Sequence, residues 1–499
     1  MNITDHIERA SKLFPDKTAL IFEGKSYTYQ ELNQLANRMA NGLKQLGVTK
    51  SDRVALFLPN IPEFIISYLG ILKLGAIAVS LNVMLKSSEV SFILNDCTAK
   101  VLITTEELRE QVYKREIPQL QTILLAEQQI GKGISLDQII ANASPNAEAV
   151  DLNKNDPAAI VYTSGTTGFP KGATLSHGNI ISNMAAQNRC CNMTSGDRIL
   201  LYLPLFHCFG QNAVLNAGLN VGAAIVLQRR FKPEQVLDAI LKEKITMFFG
   251  VPTVFIKLLN LNPSVLANVR YFFSAAAPMP VEIAQKWQEQ YGIVIHEGYG
   301  LTETSPCACY NHNSNYKFGS IGTPIDDVEM KIVDTEGREV SPGEIGEIAI
   351  KGSNVMLGYW NRPLETAKVL KNGWFHSGDI GSMDQDGYFY IVDRLKDMIN
   401  VSGFKVYPAE VENVLYQHPA VAEAAVYGIP DPFKGETVNA NIVLKYGITE
   451  TEMAAFCAER IATYKVPKCF KFVNSIPKNP TGKILKRMLR EEQITVMAS

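Results

Sequence analysis

Apolar positions along the first hundred residues follow two spacings, and each predicts a different element. Over 28–47, "TYQELNQLANRMANGLKQLG" places Leu32, Leu35, Ala36, Met39, Leu43 and Leu46 mostly three or four apart, which makes one buried stripe on a helix. Thr28 followed by Glu31 is a capping box, and Gly47 ends the pattern. The runs "RVALFLP" and "AIAVSLN" are instead continuously apolar over a strand's length and bounded by proline or glycine, as strands covered on both faces are. Between them "EFIISYLGILKLG" suits a crossover helix, so the three predict a βαβ unit.

The pattern returns further on. "DRVALFLPN" from Asp52 resembles "DRILLYLPL" from Asp197, and "LKLGAIAV" ending at Val79 resembles "LNVGAAIV" ending at Val226, at nearly the same offset. An internal duplication of the βαβ unit follows, within an α/β fold of sheets and helices. Near residue 393 the texture changes: "YIVDRLKDMINVSGFKVYPAEVENVL" passes from an aromatic-rich strand through a charged turn into a segment with its own helices, such as "ETEMAAFCAERIATY". The expected division is an N-terminal domain over 1–393 that includes a β-subdomain, a hinge at 394–396, and a small mobile α/β domain over 397–499.

Composition narrows the class. Charged residues make up 20% of the 499 and sum to a net charge of -2, so no basic surplus suggests nucleic acid. No stretch stays apolar for the roughly 18 residues that a membrane span requires, and "MNITDHIERASKLFPDKTA" has neither a cationic start nor an apolar core, which argues against export. Eight dispersed cysteines show neither zinc-ligand spacing nor a disulfide framework and read as reduced thiols in a cytoplasm. Oligomeric state leaves no mark in the sequence.

At 162–172 the chain reads "YTSGTTGFPKG". Glycine lets the backbone approach a ligand closely, Ser and Thr add hydroxyls, and Lys171 adds charge, so the loop is built to wrap an anion, with a polyphosphate as the natural candidate. It is not a Walker loop, because Gly165, Gly168, Lys171 and Gly172 fall at other spacings.

With "YTSGTTGFPKGATLSHGN", "EGYGLTET", "HSGDI", "VDRLKDMINVSGFKVYPAEVE" and "NPTGKILKR" in that order, nearly the whole chain resembles the adenylate-forming enzymes: acyl-CoA synthetases, luciferases and amino-acid adenylation domains. The resemblance implies a two-step reaction in which a carboxylate attacks the α-phosphate of ATP to give an acyl-adenylate and pyrophosphate, and a thiol then takes the acyl group. Two anions must meet, so magnesium and cationic donors are required. By resemblance Thr163, Ser164, Gly165, Thr166, Thr167, Gly168 and Lys171 cover the β- and γ-phosphates, Tyr299 lies against adenine, Thr302 contacts the α-phosphate, and Glu303 with Thr167 holds Mg2+. Asp379 matches the ribose-binding aspartate, Arg394 adds a contact to ribose or phosphate, and Ala276, Ala277, Glu297 and Gly298 complete the nucleotide set. Lys483 would bridge the carboxylate and the α-phosphate, while Lys396 occupies the hinge and Ser402 and Gly403 face CoA after the C-terminal domain turns. His207 in "LPLFHCFGQ" falls beside the carboxylate, and Phe209, Gly210, Gln211, Phe249 and Gly250 are expected in the acyl pocket.

"SAAAPMP" departs from the frequent Ser-Gly-Gly-Ala, adding methyl groups at Ala275 and Ala276, and Asn400 stands where luciferases and some aryl-CoA ligases carry lysine. "FHCFGQNAVLNAGLN" contains no acidic residue to pair with a substrate ammonium, so a neutral carboxylic acid fits better than an amino acid. "KDMINVSGFKVYPAEVE" looks most like bacterial fatty acyl-CoA synthetases. The acid is expected to be a medium- or long-chain fatty acid with CoA as acceptor. Open beside it stand an aryl-CoA ligase, a ligase loading a carrier protein in trans, and an inactive nucleotide or acyl sensor.

Overall fold

The computed structural model describes residues 1–127, 134–163, 170–259, 261–394, 397–402, 404–431, 434–479 and 482–498. A large α/β body precedes a smaller α/β domain. Within the body, an eight-stranded sheet is centred on β1 (Arg53–Phe57), which pairs in parallel with β2 (Ile77–Ser80) across the helix α1 (Pro62–Lys73). A nine-stranded sheet contains β3 (Arg198–Leu201), parallel to β4 (Ala224–Leu227). One apolar core, including Leu56, Phe64, Leu200 and Leu215, runs through both sheets.

The predicted duplication is present down to its fixings. Asp52 Oδ2 accepts the Thr49 backbone N–H at 2.8 Å, and Asp197 Oδ2 accepts that of Thr194 at 2.8 Å. The carbonyl of Asp52 receives Ile77 N–H at 2.8 Å, as that of Asp197 receives Ala224 N–H at 2.9 Å. The two units differ in the crossover. β1 and β2 begin at 53 and 77 whereas β3 and β4 begin at 198 and 224, so the second unit spaces its paired strands two residues further apart in the chain. Where α1 is regular, the second crossover is a π-helix, Phe209–Asn216, that runs on as the α-helix Ala217–Val221.

The helix expected after Thr28 spans Tyr29–Gln45, and its capping box forms, with Glu31 N–H donating to Thr28 Oγ1 at 3.1 Å and Thr28 N–H to Glu31 Oε2 at 2.8 Å. Ahead of the small domain lies a five-stranded antiparallel sheet whose last strands are Trp374–Met383 and Phe389–Arg394. The small domain has its own core of Ile399, Val411, Val426, Ile442 and Phe470. The helix expected over "ETEMAAFCAERIATY" is shorter, Glu450–Ala458, and the rest forms the single turn Thr463–Lys465. Among the described residues no helix is long and apolar enough to cross a membrane.

Candidate active site

The segment expected to bind an anion is flanked by two antiparallel strands, Pro157–Thr163 and Lys171–Ser176, which pair Thr163 with Lys171. Ser164, Gly165, Thr166, Thr167 and Gly168 lie outside the described residues, as do Lys396 and Gly403. Lys171 extends its Nζ over the ring of Tyr359, 5.3 Å from the centroid, and the Tyr359 hydroxyl donates to Glu303 Oε1 at 2.8 Å. One tyrosine thus joins the loop's lysine to the expected magnesium ligand.

Glu303 and Thr302 are buried in the short 3₁₀ turn Thr302–Thr304 that follows the strand Ile295–Gly300. The backbone there has no room to spare. A Cβ on Gly300 would lie 1.7 Å from the Pro306 carbonyl oxygen, and one on Gly298 2.4 Å from the Phe273 ring. Thr302 Oγ1 meets Cys208 Sγ at 3.6 Å, which brings it beside the turn that carries His207.

Tyr299 donates its hydroxyl to Asp379 Oδ2 at 2.7 Å, so the residues expected on adenine and ribose are joined although 80 positions apart. Asp379 in turn lies opposite Arg394 on the neighbouring strand, and Ile380 lies opposite Asp393, which brings the backbone of 393–394 beside the residue expected on ribose. Glu297 is buried, and burial pushes its carboxyl up to about 8, against hydrogen bonds from the Met279 backbone and Tyr316 that favour the charged form. It therefore holds its proton at neutral pH. Ala276 and Ala277 are half-buried, and Ala276 has φ of +71°, a left-handed conformation that glycine adopts without the Cβ penalty. The alanine thus carries backbone strain at a position where the family pattern expects glycine.

His207 Nδ1 accepts the Phe209 backbone N–H at 3.2 Å. Burial, with the nearby charge of Lys483 adding to it, lowers its pKa to about 4. The ring is therefore neutral at pH 7 with its proton on Nε2, a hydrogen-bond donor rather than a base. Lys483 reaches this neighbourhood from the small domain on a tight turn. Gly482 N–H donates to the Asn479 carbonyl at 2.9 Å, and Lys483 N–H to Asn479 Oδ1 at 2.8 Å. Gly482 has φ of +85°, and a Cβ there would stand 2.7 Å from Val251 Cγ2, so only glycine lets the turn seat against the body. Thr253 Oγ1 also donates to the Gly482 carbonyl at 3.4 Å.

Of the expected acyl-pocket residues, Phe209, Gln211 and Phe249 are buried in packed core, with Phe209 and Phe249 each 5.9 and 5.7 Å from the Phe273 ring. Gly210 is buried too, under the Pro204 carbonyl, and Gly250 lies against Tyr202. An open cavity of about 1230 Å³ lies on another side, between the body at Tyr202, Pro204, Phe206 and Val251 and the small domain at Asn479 and Gly482. Ser402 is exposed, with φ of +52°.

Tyr359 and Asn60 escaped the sequence reading. Asn60, in the turn after β1, donates through Nδ2 to the Leu203 carbonyl at 2.9 Å and accepts Leu205 N–H on Oδ1 at 2.9 Å, clamping the turn that precedes His207. Tyr359 sits in no motif, and Asn60 closes the repeated stretch "DRVALFLPN" at a position where the second copy, "DRILLYLPL", has leucine. Asn479 did leave a signal, an Asn three residues ahead of a Gly in "NPTG".

The AMP-binding enzyme family matches residues 7–360, and the AMP-binding enzyme C-terminal domain matches residues 410–483. A long-chain-fatty-acid–CoA ligase of Bacillus subtilis is 40% identical over 520 aligned residues, covering 96% of this chain and 92% of its own length. A feruloyl-CoA synthase of an Amycolatopsis species is 38% identical over 490, covering 97% of each chain. The crystal structure of an anthranilate CoA ligase in complex with anthranoyl-AMP superposes with a TM-score of 0.94 at 32% identity, covering 100% of this chain and 98% of that one.

Proposed function

Since the chain belongs to the AMP-binding enzymes and is an AMP-forming acid–CoA ligase using ATP and CoA, we propose that its acid is a medium- or long-chain fatty acid and that Lys483 drives the adenylation step. The observation that carries the Lys483 assignment is the seating of its turn: Gly482 packs against Val251 of the body, so that the charge of Lys483 is felt at His207, whose neighbour Cys208 meets Thr302. In this reading the hinge is at 394–396. The neutral His207 orients the incoming carboxylate through Nε2–H, and Lys483 neutralises charge as that carboxylate meets the α-phosphate. Lys171 and the segment that precedes it hold the pyrophosphate half of ATP, and Tyr299 and Asp379 take the adenosine.

One buried carboxylate, Glu303, faces the Lys171 side through Tyr359. With phosphate oxygens this is a ligand set that suits magnesium, which would offset charge between the two anions. The cavity beside the Lys483 turn is the route we assign to the thiol arm of CoA. A fatty acid is supported by the 40% identity to the Bacillus ligase and by the lack of any acidic residue in 207–221. A second reading, an aryl acid, is favoured by the rings of Phe209, Phe249 and Phe273 that meet behind the π-helix.

The test is pyrophosphate release over a panel of fatty, aryl and amino acids, with and without CoA, beside Lys483→Ala. CoA-dependent turnover is expected on fatty acids, and the variant should lose about 10²–10³-fold in adenylation rate, the effect of removing one charge-stabilising donor. Preference for aryl acids would move the assignment to the second reading. Adenylation indifferent to CoA would point to a carrier protein as acceptor, and silence across the panel to an inactive sensor.

A further inference from the structure

A second lysine stands three residues beyond Lys483, and the reaction as described gives it no role. Lys486 opens the final helix, Lys486–Ala498, with its side chain only 20% exposed and its Nζ 2.9 Å from Glu412 Oε1. Glu412 belongs to the helix Pro408–Tyr416 of the small domain and also accepts Val426 N–H on Oε1 at 2.7 Å. The first turn of that helix is held from the body: Asp393, on the body's last strand, accepts Ala409 N–H on Oδ2 at 2.9 Å. Asp393 and Asp397, one on each side of 394–396, both add their negative charge at Lys486. Burial works to lower its pKa, but Glu412, Asp393 and Asp397 outweigh it and keep the ammonium charged.

One half-buried ammonium therefore pairs with Glu412 and feels the charges of Asp393 and Asp397, and these carboxylates, from three segments, repel one another without it. Only Ile484 and Leu485 separate it from Lys483, and that link is stiff, since Leu485 N–H donates to the Pro477 carbonyl at 2.9 Å and Asn479 N–H to the Lys483 carbonyl at 2.8 Å. We propose that Lys486 is a positioning residue for adenylation: by holding Asp393, Asp397 and Glu412 together it fixes the small domain against the body so that the adjoining turn presents Lys483 to the site. The proposal rests on the reading of Lys483 as the adenylating lysine.

The experiment separates the half-reactions in the full-length enzyme. Lys486→Met, Lys486→Arg, Glu412→Gln and Lys483→Ala are each measured for pyrophosphate release without CoA and for thioester formation from supplied acyl-adenylate and CoA. Lys486→Met should lower the adenylation kcat by about 10²-fold, the effect of misplacing a catalytic group by an ångström, with KM for ATP and acid little changed. Thioester formation should persist, Lys486→Arg should restore most of the adenylation rate, and Glu412→Gln should give the same split in weaker form. Equal loss in both half-reactions, or no loss in either, overturns the proposal. If Lys486→Met does not fold, Glu412→Gln decides by the same criterion. Should Lys483→Ala still adenylate, the underlying reading fails; should it lose adenylation while Lys486→Met and Glu412→Gln keep it, the positioning role alone fails.

Discussion

In the first βαβ unit the crossover is a regular helix in which every residue of Pro62–Lys73 except Glu63 is buried, and most are apolar. In the second, between strands anchored by the same threonine–aspartate turn, the crossover opens on His207 and passes through a π-helix that buries Gln211, Asn212 and Asn216. The two extra residues are what a wider helical turn must absorb, and π-turns recur at functional sites because they shift side chains out of regular register. The polar helix is stitched to the first unit, with Asn216 Nδ2 donating to Tyr68 Oη of its apolar twin at 2.9 Å and Gln211 Nε2 to Ser80 Oγ at the end of β2 at 3.0 Å. A repeated frame thus lets one copy carry packing while the other carries the candidate site.

The sharpest way to break this comparison is to cut the matching turns. His207→Ala in the second unit should lower adenylation by about 10²–10³-fold with little change in melting, since it removes one oriented donor. Ile61→Ala in the first unit, at a fully buried position, should instead cost about 2–5 kcal/mol of stability while the folded fraction keeps its rate. Paired melting and pyrophosphate assays decide, and a reversed pattern would mean that the labour is not divided between the copies.

A smaller effect tests the link between the units. Asn60→Ala leaves Leu205 N–H and the Leu203 carbonyl without their side-chain partner, at a cost of about 1–3 kcal/mol in denaturant unfolding. The turn that carries His207 also loosens, so KM for the acid should rise. Unchanged kinetics would show that the clamp serves folding alone.

The smallest effect is in acid. Burial works to raise the pKa of Asp197, but hydrogen bonds from Arg270, Thr246 and Thr194 hold it below its usual value; Asp52 is lowered likewise, against burial, by Lys100 and Thr49. A depressed folded pKa means stability that is present above the ordinary carboxylate range and lost as pH falls through the lowered value. Asp197 is 3% exposed and Asp52 22%, so Asp197→Asn should flatten the acid limb of a stability-versus-pH curve more than Asp52→Asn. Equal flattening would indicate that the two anchors are equivalent despite their unequal burial.

Much of the fold could be read because its signals are local. The Thr28–Glu31 cap, the buried strands of both βαβ units and the matched turns at Asp52 and Asp197 depend on residues a few positions apart. The order of the motifs likewise identified the chemistry. Contacts that assemble the site across long separations left no such trace. Tyr359 reaches Glu303 over 56 positions and Asn60 reaches Leu205 over 145, and the π-helix is a departure from a periodicity that its own residues do not display.

By itself the sequence determined the α/β class and the repeated unit, because capping, periodicity and turn formation are short-range, and the family resemblance carried by its ordered motifs identified the adenylate-forming chemistry and the residue types it needs. Only the tertiary structure decided that His207 is neutral with its proton on Nε2, that Ala276 is held left-handed, and that Lys486 pairs with Glu412 within reach of the charges of Asp393 and Asp397. Those properties arise from burial and from charges brought together by distant segments, and a side chain's desolvation and electrostatic surroundings exist only once the chain has folded around it.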